Sequence, residues 1–485
     1  MSRGPWITLF AVATLAGCTP LTPEQQVVAD AAAALGGRDL VEGVTTLAIE
    51  GDGTTGNLGQ DMTPDATGQQ YTVSGYIQRV DLAAGRSRVE RTRTPAFTYF
   101  RGPDPQSQIF GVDGDVGYDV APDGTATRVA SGAARDRLAE VYHHPITSVH
   151  AALDPAAMLT NAGASDGEAF VDVTTAGGAA FTLAIDAESG LPSRVTSMAH
   201  NANLGDVAVE TTFAGYEEAA GLMLPTRLTT ATAGYPTADI NVTVQSINAD
   251  VGDLAAPAGA ASADPPAGPP PVDVVVEELA DGIWLLGGQS HHSVLVEFDD
   301  HLMLFEAPNE ARALAVIARA RELVPDKPLT QLVNSHHHFD HSGGIRAAVS
   351  EGLTVITHEA NGPFYRALVV RERTIAPDAL SRTPQELTLE TVGDERTLED
   401  ASMTVHLHHI PGSPHADSLL MAYFPEARLL VEADAFSPGR DLQPFAANLL
   451  ENIERLGLRV DRIVPIHGPV VTFDDLVANV RGTTD

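Results

Sequence analysis

The sequence contains a single cysteine, Cys18, among its 485 residues. One cysteine excludes an internal disulfide framework and any metal site built from several cysteines. Basic residues are also scarce, with 29 Lys and Arg against 64 Asp and Glu and a formal net charge of -35. Because a field of that sign repels a phosphate backbone, we expect no nucleic-acid partner.

The sequence also gives no indication of a nucleophile elbow, the strand-to-helix turn that carries an activated serine. Hydrophobic residues make up 44% and charged residues 19%, which is ordinary for a globular protein. A packed core is therefore expected, and the chemistry has to come from side chains other than serine or cysteine.

The amino-terminal segment has the features of an export signal. Residues 6–16 are apolar over a length that fits a signal-peptide core and is too short to span a bilayer. They end in Leu15-Ala16-Gly17-Cys18, which resembles the lipobox of bacterial lipoproteins. We therefore predict a signal peptide over residues 1–18, and a lipid anchor at Cys18 that holds the exported protein on a bacterial membrane, facing the periplasm.

The length indicates two domains, because a single hydrophobic core stops growing at roughly 250–300 residues. Residues 23–35 are alanine-rich and end at Gly36-Gly37, a pattern typical of a helix closed by glycine. Short alternating runs between turn residues then predict a mainly antiparallel β domain over residues 22–252. Its predicted strands include residues 70–80, 181–186, 193–199, 207–213 and 240–247.

The turn chemistry of this first domain resembles that of periplasmic lipoprotein carriers, which form a curved half-barrel. The resemblance lies in residues 186–195 and 221–226, within residues 40–250. It implies a concave apolar surface, and with it a carrier of a lipophilic ligand as one possible function.

The composition changes after the first domain. Residues 253–273 are rich in Ala, Pro and Gly and predict a linker between two halves that fold independently. Strands then alternate with helices, which predicts an α/β domain over residues 274–485. The predicted elements are strands at 274–278, 283–287, 293–298, 301–306 and 329–333 and a helix at 309–323.

Histidines are concentrated in residues 334–341, which follow a buried strand and match His-x-His-x-Asp-His. Residues two apart in a loop can point the same way, so His336 and His338 can bind one metal ion. Asp340 and His341 can then face a second ion. Imidazole and carboxylate are ligands that zinc prefers, and the internal position argues against a tag.

Three later segments each add one candidate ligand at a strand end. His415 follows an apolar strand at 403–407, and Asp434 and His467 end two further strands. Ligands that come from several strand ends meet at one edge of a sheet, where open α/β architectures build their sites.

In this order, the candidate residues resemble those of the metallo-β-lactamase-fold hydrolases across residues 274–485. The resemblance implies a four-layer αββα sandwich and two divalent metal ions, zinc first and iron or manganese as alternatives. It assigns His336, His338 and His415 to one ion, Asp340, His341 and His467 to the other, and Asp434 to a position between them. It also makes Asp340 the catalytic residue, which orients a metal-bound hydroxide and receives its proton.

The resulting prediction is a dinuclear hydrolase that cleaves an ester, lactone, thioester or phosphodiester bond in a small or lipophilic substrate. A carboxylate at position 434 disfavours a β-lactam, because the β-lactamases of this family lack it. Two rivals remain open. The same ligands can hold iron in an oxidase or dioxygenase, and the metal domain can be auxiliary in a lipid-binding carrier.

Other residues near the motif have weaker signals. His291 and His292 lie in a turn that can lean over the metal ions and contact substrate, and His337 is expected to face solvent. Glu306 stands where the family often has Asp, which we expect to alter the support of the site more than its existence. The remaining candidates are predicted to be structural, namely His358, His406, His408 and His409.

Overall fold

The computed structural model describes residues 20–99, 101–268 and 272–482. The predicted export signal and the predicted lipid anchor at Cys18 lie outside these residues. Within the described residues, no helix combines the length and the apolar character needed to cross a membrane.

The first domain is built on one 13-stranded sheet in which every pair of neighbouring strands is antiparallel. Its strands are β1 (Thr46–Gly56), β2 (Gln70–Asp81), β3 (Arg86–Pro95), β4 (Gln106–Asp113), β5 (Val116–Val120), β6 (Ala126–Arg128), β7 (Met158–Ser165), β8 (Glu168–Thr174), β9 (Ala180–Asp186), β10 (Pro192–Asn201), β11 (Gly205–Ala219), β12 (Leu222–Thr232) and β13 (Tyr235–Ile247).

Two meanders make up this sheet, β1–β6 and β7–β13, and they join where β1 pairs with β13 from Leu47 opposite Ile247 to Thr55 opposite Ala238. Alternating burial along the strands leaves one face for the core. Helices cover that face: α1 (Pro23–Ala34), α2 (Arg38–Glu42), α3 (Ser131–Glu140) and α4 (Pro145–Leu153). Residues of β2–β5 and of β11–β13 line one cavity of about 770 Å³, so the sheet curves around it.

The segment predicted as a linker has structure of its own. It contains the short helix α5 (Ala258–Ser262), which packs on β5 and β6 of the first domain. Leu254 and Ala260 are buried there, and the backbone N–H of Ala256 donates to Asp113. A few small apolar residues are enough for this packing because the sheet supplies the rest of the contact surface.

The second domain contains two sheets and the remaining helices. The first sheet has seven strands in sequential order: β14 (Val275–Ala280), β15 (Ile283–Gly287), β16 (Ser293–Glu297), β17 (Leu302–Phe305), β18 (Leu329–Val333), β19 (Thr354–His358) and β20 (Leu389–Val392). The second has six: β21 (Glu395–Glu399), β22 (Thr404–His409), β23 (Leu420–Phe424), β24 (Leu429–Glu432), β25 (Arg462–Pro465) and β26 (Val471–Thr472).

Helices flank both sheets, which gives four layers. An apolar core lies between the sheets, and separate cores lie under the helices of each outer layer. Strands such as β17 and β24 are buried along their whole length because both of their faces are covered. The helices are α6 (Glu310–Leu323), α7 (Phe339–Ser342), α8 (Ile345–Ser350), α9 (Gly362–Val369), α10 (Ala379–Arg382), α11 (Ala446–Leu456) and α12 (Phe473–Arg481), with a 3-10 turn at Glu359–Asn361. The predicted fold class is confirmed for both domains.

Candidate metal centre

The four segments with candidate ligands all come after strands of the two central sheets. His336 and His338 follow β18, whose neighbours β17 and β19 are parallel to it. Asp434 and His467 follow β24 and β25, which are also parallel to each other. The loop after β22 carries His415. Because parallel strands end at the same edge of a sheet, these side chains meet at one edge of the sandwich.

The structure brings all seven predicted ligands together. The carboxylate of Asp434 lies at the centre of the group: its Oδ2 is 2.7 Å from His341 Nε2, 3.3 Å from His415 Nε2 and 3.5 Å from His336 Nε2. Its Oδ1 is 3.3 Å from His467 Nε2. One carboxylate that faces four imidazole nitrogens is positioned to bridge two cations.

The ligand atoms form overlapping groups in which they lie within 4.8 Å of one another. One group contains His336, His338 and His415, and these three are the residues predicted for the first ion. The predicted ligands of the second ion, Asp340, His341 and His467, form another group that also includes His291. A third group is His336, His341 and Asp434, which connects the other two.

The spacing of these imidazoles fits a shared ion. His336 Nε2 and His415 Nε2 are 3.3 Å apart, and His341 Nε2 and His467 Nε2 are 3.2 Å apart. Two nitrogens bound to one tetrahedral zinc ion at about 2.0–2.1 Å lie roughly 3.3–3.4 Å from each other. The same rings cannot face one another this closely with a proton on both nitrogens.

The second ring nitrogen of three of these histidines has a partner that orients the ring. His336 Nδ1 lies 2.8 Å from the hydroxyl of Ser335, and His467 Nδ1 donates to the carbonyl of Ser290 at 2.9 Å. His341 Nδ1 donates to the carboxylate of Glu306 at 3.0 Å. Histidine ligands of metal ions usually have such partners, because these fix the tautomer and raise the basicity of the ligating nitrogen.

Glu306 itself is completely buried and carries out this supporting role with both oxygens. Oε2 accepts from His341, and Oε1 accepts the backbone N–H of Ser335 at 2.6 Å. Glu306 therefore connects the strand that leads into the His-x-His segment with a ligand of the second group. Glu306 thus supports the site through its contacts with both elements.

His338 has the clearest open position for a ligand. Its Nε2 donates to the carbonyl of Asp61 at 2.9 Å, while its buried Nδ1 has no hydrogen-bond partner. A carbonyl oxygen only accepts, so the proton lies on Nε2 and the lone pair on Nδ1. A buried nitrogen with an unused lone pair costs free energy unless something occupies it, and a metal ion held by His338 together with His336 and His415 would do so.

The prediction that His337 faces solvent is wrong. His337 is 1% exposed, and its Nε2 donates to the same carbonyl of Asp61 at 2.9 Å. Its Nδ1 lies 3.4 Å from the hydroxyl of Ser418. Burial lowers the pKa of His337 to about 4, so its ring is neutral. The reason is a segment of the first domain that covers this side of the motif.

The electrostatics of the group favour a cation. Burial lowers the pKa of His336 and of His338 well below the ordinary histidine value. Both rings are therefore neutral, and each has a nitrogen lone pair that can bind a cation. Burial disfavours the charged form of His341 too, yet the carboxylates of Asp434, Asp340 and Glu306 raise its pKa well above the ordinary value. The effect of the three carboxylates on the pKa of His341 is therefore larger than the effect of burial. They place negative charge at this point, and a divalent ion would balance it.

A cavity of about 220 Å³ opens onto these ligands, and both domains line it. From the second domain come Asp340, His415, Asp434 and His467, together with Ser290, His291, Ser437, Arg440 and Phe445. From the first domain come Asn57, Gln60, Gln69, Phe97, Thr98 and Tyr99. A small molecule with an apolar group therefore has room beside the ligands and aromatic rings to contact.

Residues 286–470 match the family model described as the metallo-beta-lactamase superfamily. The second domain belongs to the metallo-beta-lactamase superfamily. The predicted resemblance is thereby confirmed for this domain, and the superfamily fold is known for sites that hold divalent metal ions. No curated protein matches the chain.

Solved structures are similar to this superfamily domain at low sequence identity. The metallo-beta-lactamase FIM-1 from Pseudomonas aeruginosa is 15% identical, with 44% of this chain and 96% of that chain covered and a TM-score of 0.34. A metallo-beta-lactamase from Hirschia baltica is 16% identical, covering 43% and 96%, with a TM-score of 0.33. The rubredoxin oxygen:oxidoreductase of Desulfovibrio gigas is 17% identical, covering 42% and 59%, with a TM-score of 0.34.

Within the metallo-beta-lactamase domain, the two histidines of the β15–β16 turn have different positions. His291 lines the cavity, with its Nε2 3.4 Å from Asp340 Oδ2 and its ring 4.0 Å from that of His467. His292 instead accepts the N–H of Gly288 on Nδ1 and donates from Nε2 to the carbonyl of Gly468. The structure thus leaves only His291 in position for substrate contact, while His292 joins two turns beside the site.

The contribution of the first domain to this site was not predicted from the sequence. Gln60 donates to Asp340 Oδ1 at 2.8 Å, and Asn203 donates to the backbone carbonyl of Phe339 at 2.9 Å. One signal was present for Gln60: the loop over residues 57–69 between β1 and β2 is far longer than the roughly two to five residues of an ordinary hairpin loop. Long loops of this kind are commonly functional.

Proposed function

We propose that this protein is a dinuclear metal-dependent hydrolase that acts on a small molecule with an ester, lactone, thioester or phosphodiester bond. The observation that supports the proposal most is the clustering of seven ligand side chains around one point, with the carboxylate of Asp434 facing four of the histidines. His336, His338 and His415 would hold one ion, and Asp340, His341 and His467 would hold a second, with Asp434 as a further ligand between the two groups. Zinc is the ion we propose, because the set consists of imidazole and carboxylate.

Two divalent ions bound here would lower the pKa of a water molecule towards neutrality and polarise the carbonyl or phosphoryl oxygen of the substrate. The protein's own residues position that chemistry. Asp340 is the most exposed of the predicted ligands: 42% of its side chain is exposed, and it lines the cavity. Its exposed carboxylate can therefore contact both water and substrate.

Asp340 orients the attacking water and accepts its proton. Burial opposes ionisation, but the neighbouring His341 and the hydrogen bonds from His291 and Gln60 hold the pKa of Asp340 well below its usual range. The carboxylate is thus ionised and fixed in direction before substrate arrives. His291 lines the cavity beside Asp340, with its Nδ1 2.7 Å from the Ser290 hydroxyl, and is placed to contact the leaving oxygen or sulfur.

The test is a panel of chromogenic esters, lactones, thioesters, phosphodiesters and a cephalosporin, assayed with the full chain and with Asp340→Ala. We expect the substitution to reduce kcat/KM by about 10²–10⁴-fold on the best substrate, the usual contribution of a positioned acid or base. Asp115→Ala is the matched control, because that side chain is 93% exposed and lies in the first domain. Activity that survives Asp340→Ala would contradict the mechanism.

Metal analysis of the purified protein gives an independent result. We expect about two divalent ions per chain and their loss in Asp434→Ala, since this carboxylate faces four of the histidines. Stoichiometric iron together with oxygen uptake would instead support the oxidase alternative and contradict hydrolysis.

A further inference from the structure

The loop between β1 and β2, residues 57–69, leaves the first domain and reaches the ligands of the second. The carbonyl of Asp61 accepts from His337 and His338, each at 2.9 Å. The side chain of Gln60 donates to Asp340 at 2.8 Å. Two ligands of the proposed metal centre therefore have direct hydrogen bonds to a different domain.

Backbone hydrogen bonds hold the loop against the motif at two further points. The N–H of Phe339 donates to the carbonyl of Gly59 at 3.1 Å, and the N–H of Asp417 donates to the carbonyl of Met62 at 2.9 Å. Asp417 lies two residues after the ligand His415. The loop thus contacts both segments that supply ligands to the first ion.

The loop also has a defined shape of its own. The carboxylate of Asp61 accepts the backbone N–H of Gln69 at 2.8 Å, and the side chains of Asn57 and Gln69 are hydrogen-bonded at 3.1 Å. Gly59, at φ +78, lies so close to the ring of Phe339 that a Cβ would come within 2.3 Å of it. Close packing of this kind indicates a fixed contact between the loop and the motif.

A histidine ligand needs a hydrogen-bond partner on the ring nitrogen that does not bind the ion. The partners of His336, His341 and His467 come from the metallo-beta-lactamase domain itself, namely Ser335, Glu306 and Ser290. His338 has its partner in the first domain, because the Asp61 carbonyl keeps the proton on Nε2 and leaves the Nδ1 lone pair for an ion.

From these contacts we infer that the β1–β2 loop is a working part of the metal centre, in which the Asp61 carbonyl sets the tautomer of His338 and Gln60 is a positioning residue for Asp340. The inference rests on the proposed dinuclear function. It assigns the first domain a role in metal affinity and turnover, because the domain orients one ligand of each ion. It also makes that domain one wall of the substrate cavity.

Gln60 can be tested without disturbing the backbone of the loop. Gln60→Met keeps the size of the side chain and removes the donor, and Gln60→Glu places a second carboxylate beside Asp340. We expect Gln60→Met to lower kcat by about 10–100-fold, the usual cost of losing such a partner, with a smaller change in KM. The visible spectrum of the Co²⁺-substituted protein should shift as well. Gln60→Glu should have the larger effect, because like charges repel.

Gly59→Ala tests the loop as a whole, since the added methyl group pushes the loop away from Phe339. Gly167→Ala is the matched control: Gly167 has φ +82, which gives the same backbone strain, but no atom lies within 4 Å of the position that its methyl group would take. We expect Gly59→Ala to weaken Zn²⁺ affinity by about 10–100-fold in competition with a chromophoric chelator. Gly167→Ala should retain the wild-type affinity.

The outcomes separate the inference from the function on which it rests. The inference alone would be overturned if the wild-type protein binds two ions and the Gln60 variants match it in Co²⁺ spectrum, kcat and Zn²⁺ affinity. Wild-type protein that binds no ion would overturn the proposed function and the inference together. If Gly59→Ala does not fold, the Gln60 pair decides the question, because it changes only a side-chain tip.

Discussion

Two carboxylates at the centre of the site have strained backbones. Glu306 has φ 67 and Asp434 has φ 59, both in the left-handed region that side chains other than Gly, Asn and Asp seldom adopt. For Glu306 this costs on the order of 1–3 kcal/mol unless the surrounding structure compensates, and the cost is smaller for Asp434, because Asp tolerates this region. Each lies just past a strand: Glu306 directly follows β17, and Asp434 is two positions beyond the last residue of β24. The turn directs each carboxylate back towards the histidines, so the strained conformation is needed to place the carboxylate in the site.

A buried histidine of the first domain makes the stability of the protein depend on pH. His143 is buried against the hydroxyls of Thr211 and Ser197, at 2.8 Å and 2.9 Å, and burial lowers its pKa to about 4. Below pH of about 6.5 the unfolded chain binds a proton at this histidine and the folded chain does not. Its contribution to stability is therefore fully present above that pH and is lost as the pH falls towards 4.

We predict a loss of about 2 kcal/mol from this residue between pH 7 and pH 5. The measurement is the free energy of urea unfolding of wild type and His143→Gln at both values of pH. Glu140 lines the same cavity, and burial raises its pKa, so the comparison with the variant is needed to isolate the histidine. Equal pH dependence of the two proteins would show that His143 does not carry the effect.

At the scale of elements, the His-x-His-x-Asp-His segment is held between a strand end and two short helices, α7 and α8. Gly343 and Gly344 join these helices where they cross the chain that leads from β17 into α6. A Cβ on Gly344 would lie 1.9 Å from the carbonyl oxygen of Ala307. The glycine is required for close approach here, and its φ of -93 is one that any residue can adopt.

Gly344→Ala should therefore destabilise the protein by about 1–3 kcal/mol or more, the cost of overpacking at a backbone contact. Gly393→Ala is the control, since no atom lies within 4 Å of the added methyl group. Urea unfolding of the metal-free proteins measures both changes without interference from ligand binding. A Gly344→Ala protein as stable as the Gly393→Ala protein would mean that the backbone at Ala307 moves freely.

At the scale of the molecule, the domains share an interface that extends beyond the β1–β2 loop. Arg373 of the second domain donates to the backbone carbonyls of Ala202 and Asn203 in the first, at 2.8 Å and 2.5 Å, and pairs with Asp378 at 3.1 Å. Asn203 in turn donates to the carbonyl of Phe339, inside the His-rich motif. The prediction of two halves that fold independently did not include this network of hydrogen bonds between them.

We predict that Arg373→Ala lowers the stability of the interface by about 1–3 kcal/mol, because the backbone carbonyls of Ala202 and Asn203 lose this donor, whereas Asp378 keeps its pair with Arg346. Differential scanning calorimetry of the full chain should then show two separated transitions in place of one. Arg227→Ala, which removes an exposed pair with Asp239, should cost no more than about 1 kcal/mol. A single unshifted transition in Arg373→Ala would mean that the domains are coupled by other contacts.

The sequence by itself determined part of the elements, the two fold types and the seven candidate ligands that meet at the site. The periodicity of hydrophobic residues and the turn residues are properties of short stretches of sequence. Histidines and carboxylates at strand ends can likewise be identified by residue type within such a stretch. Only the tertiary structure decided that the first domain completes the site. The contact between Asp61 and His337 joins residues 276 positions apart through a backbone carbonyl, a group that every residue carries and that leaves no mark in a sequence.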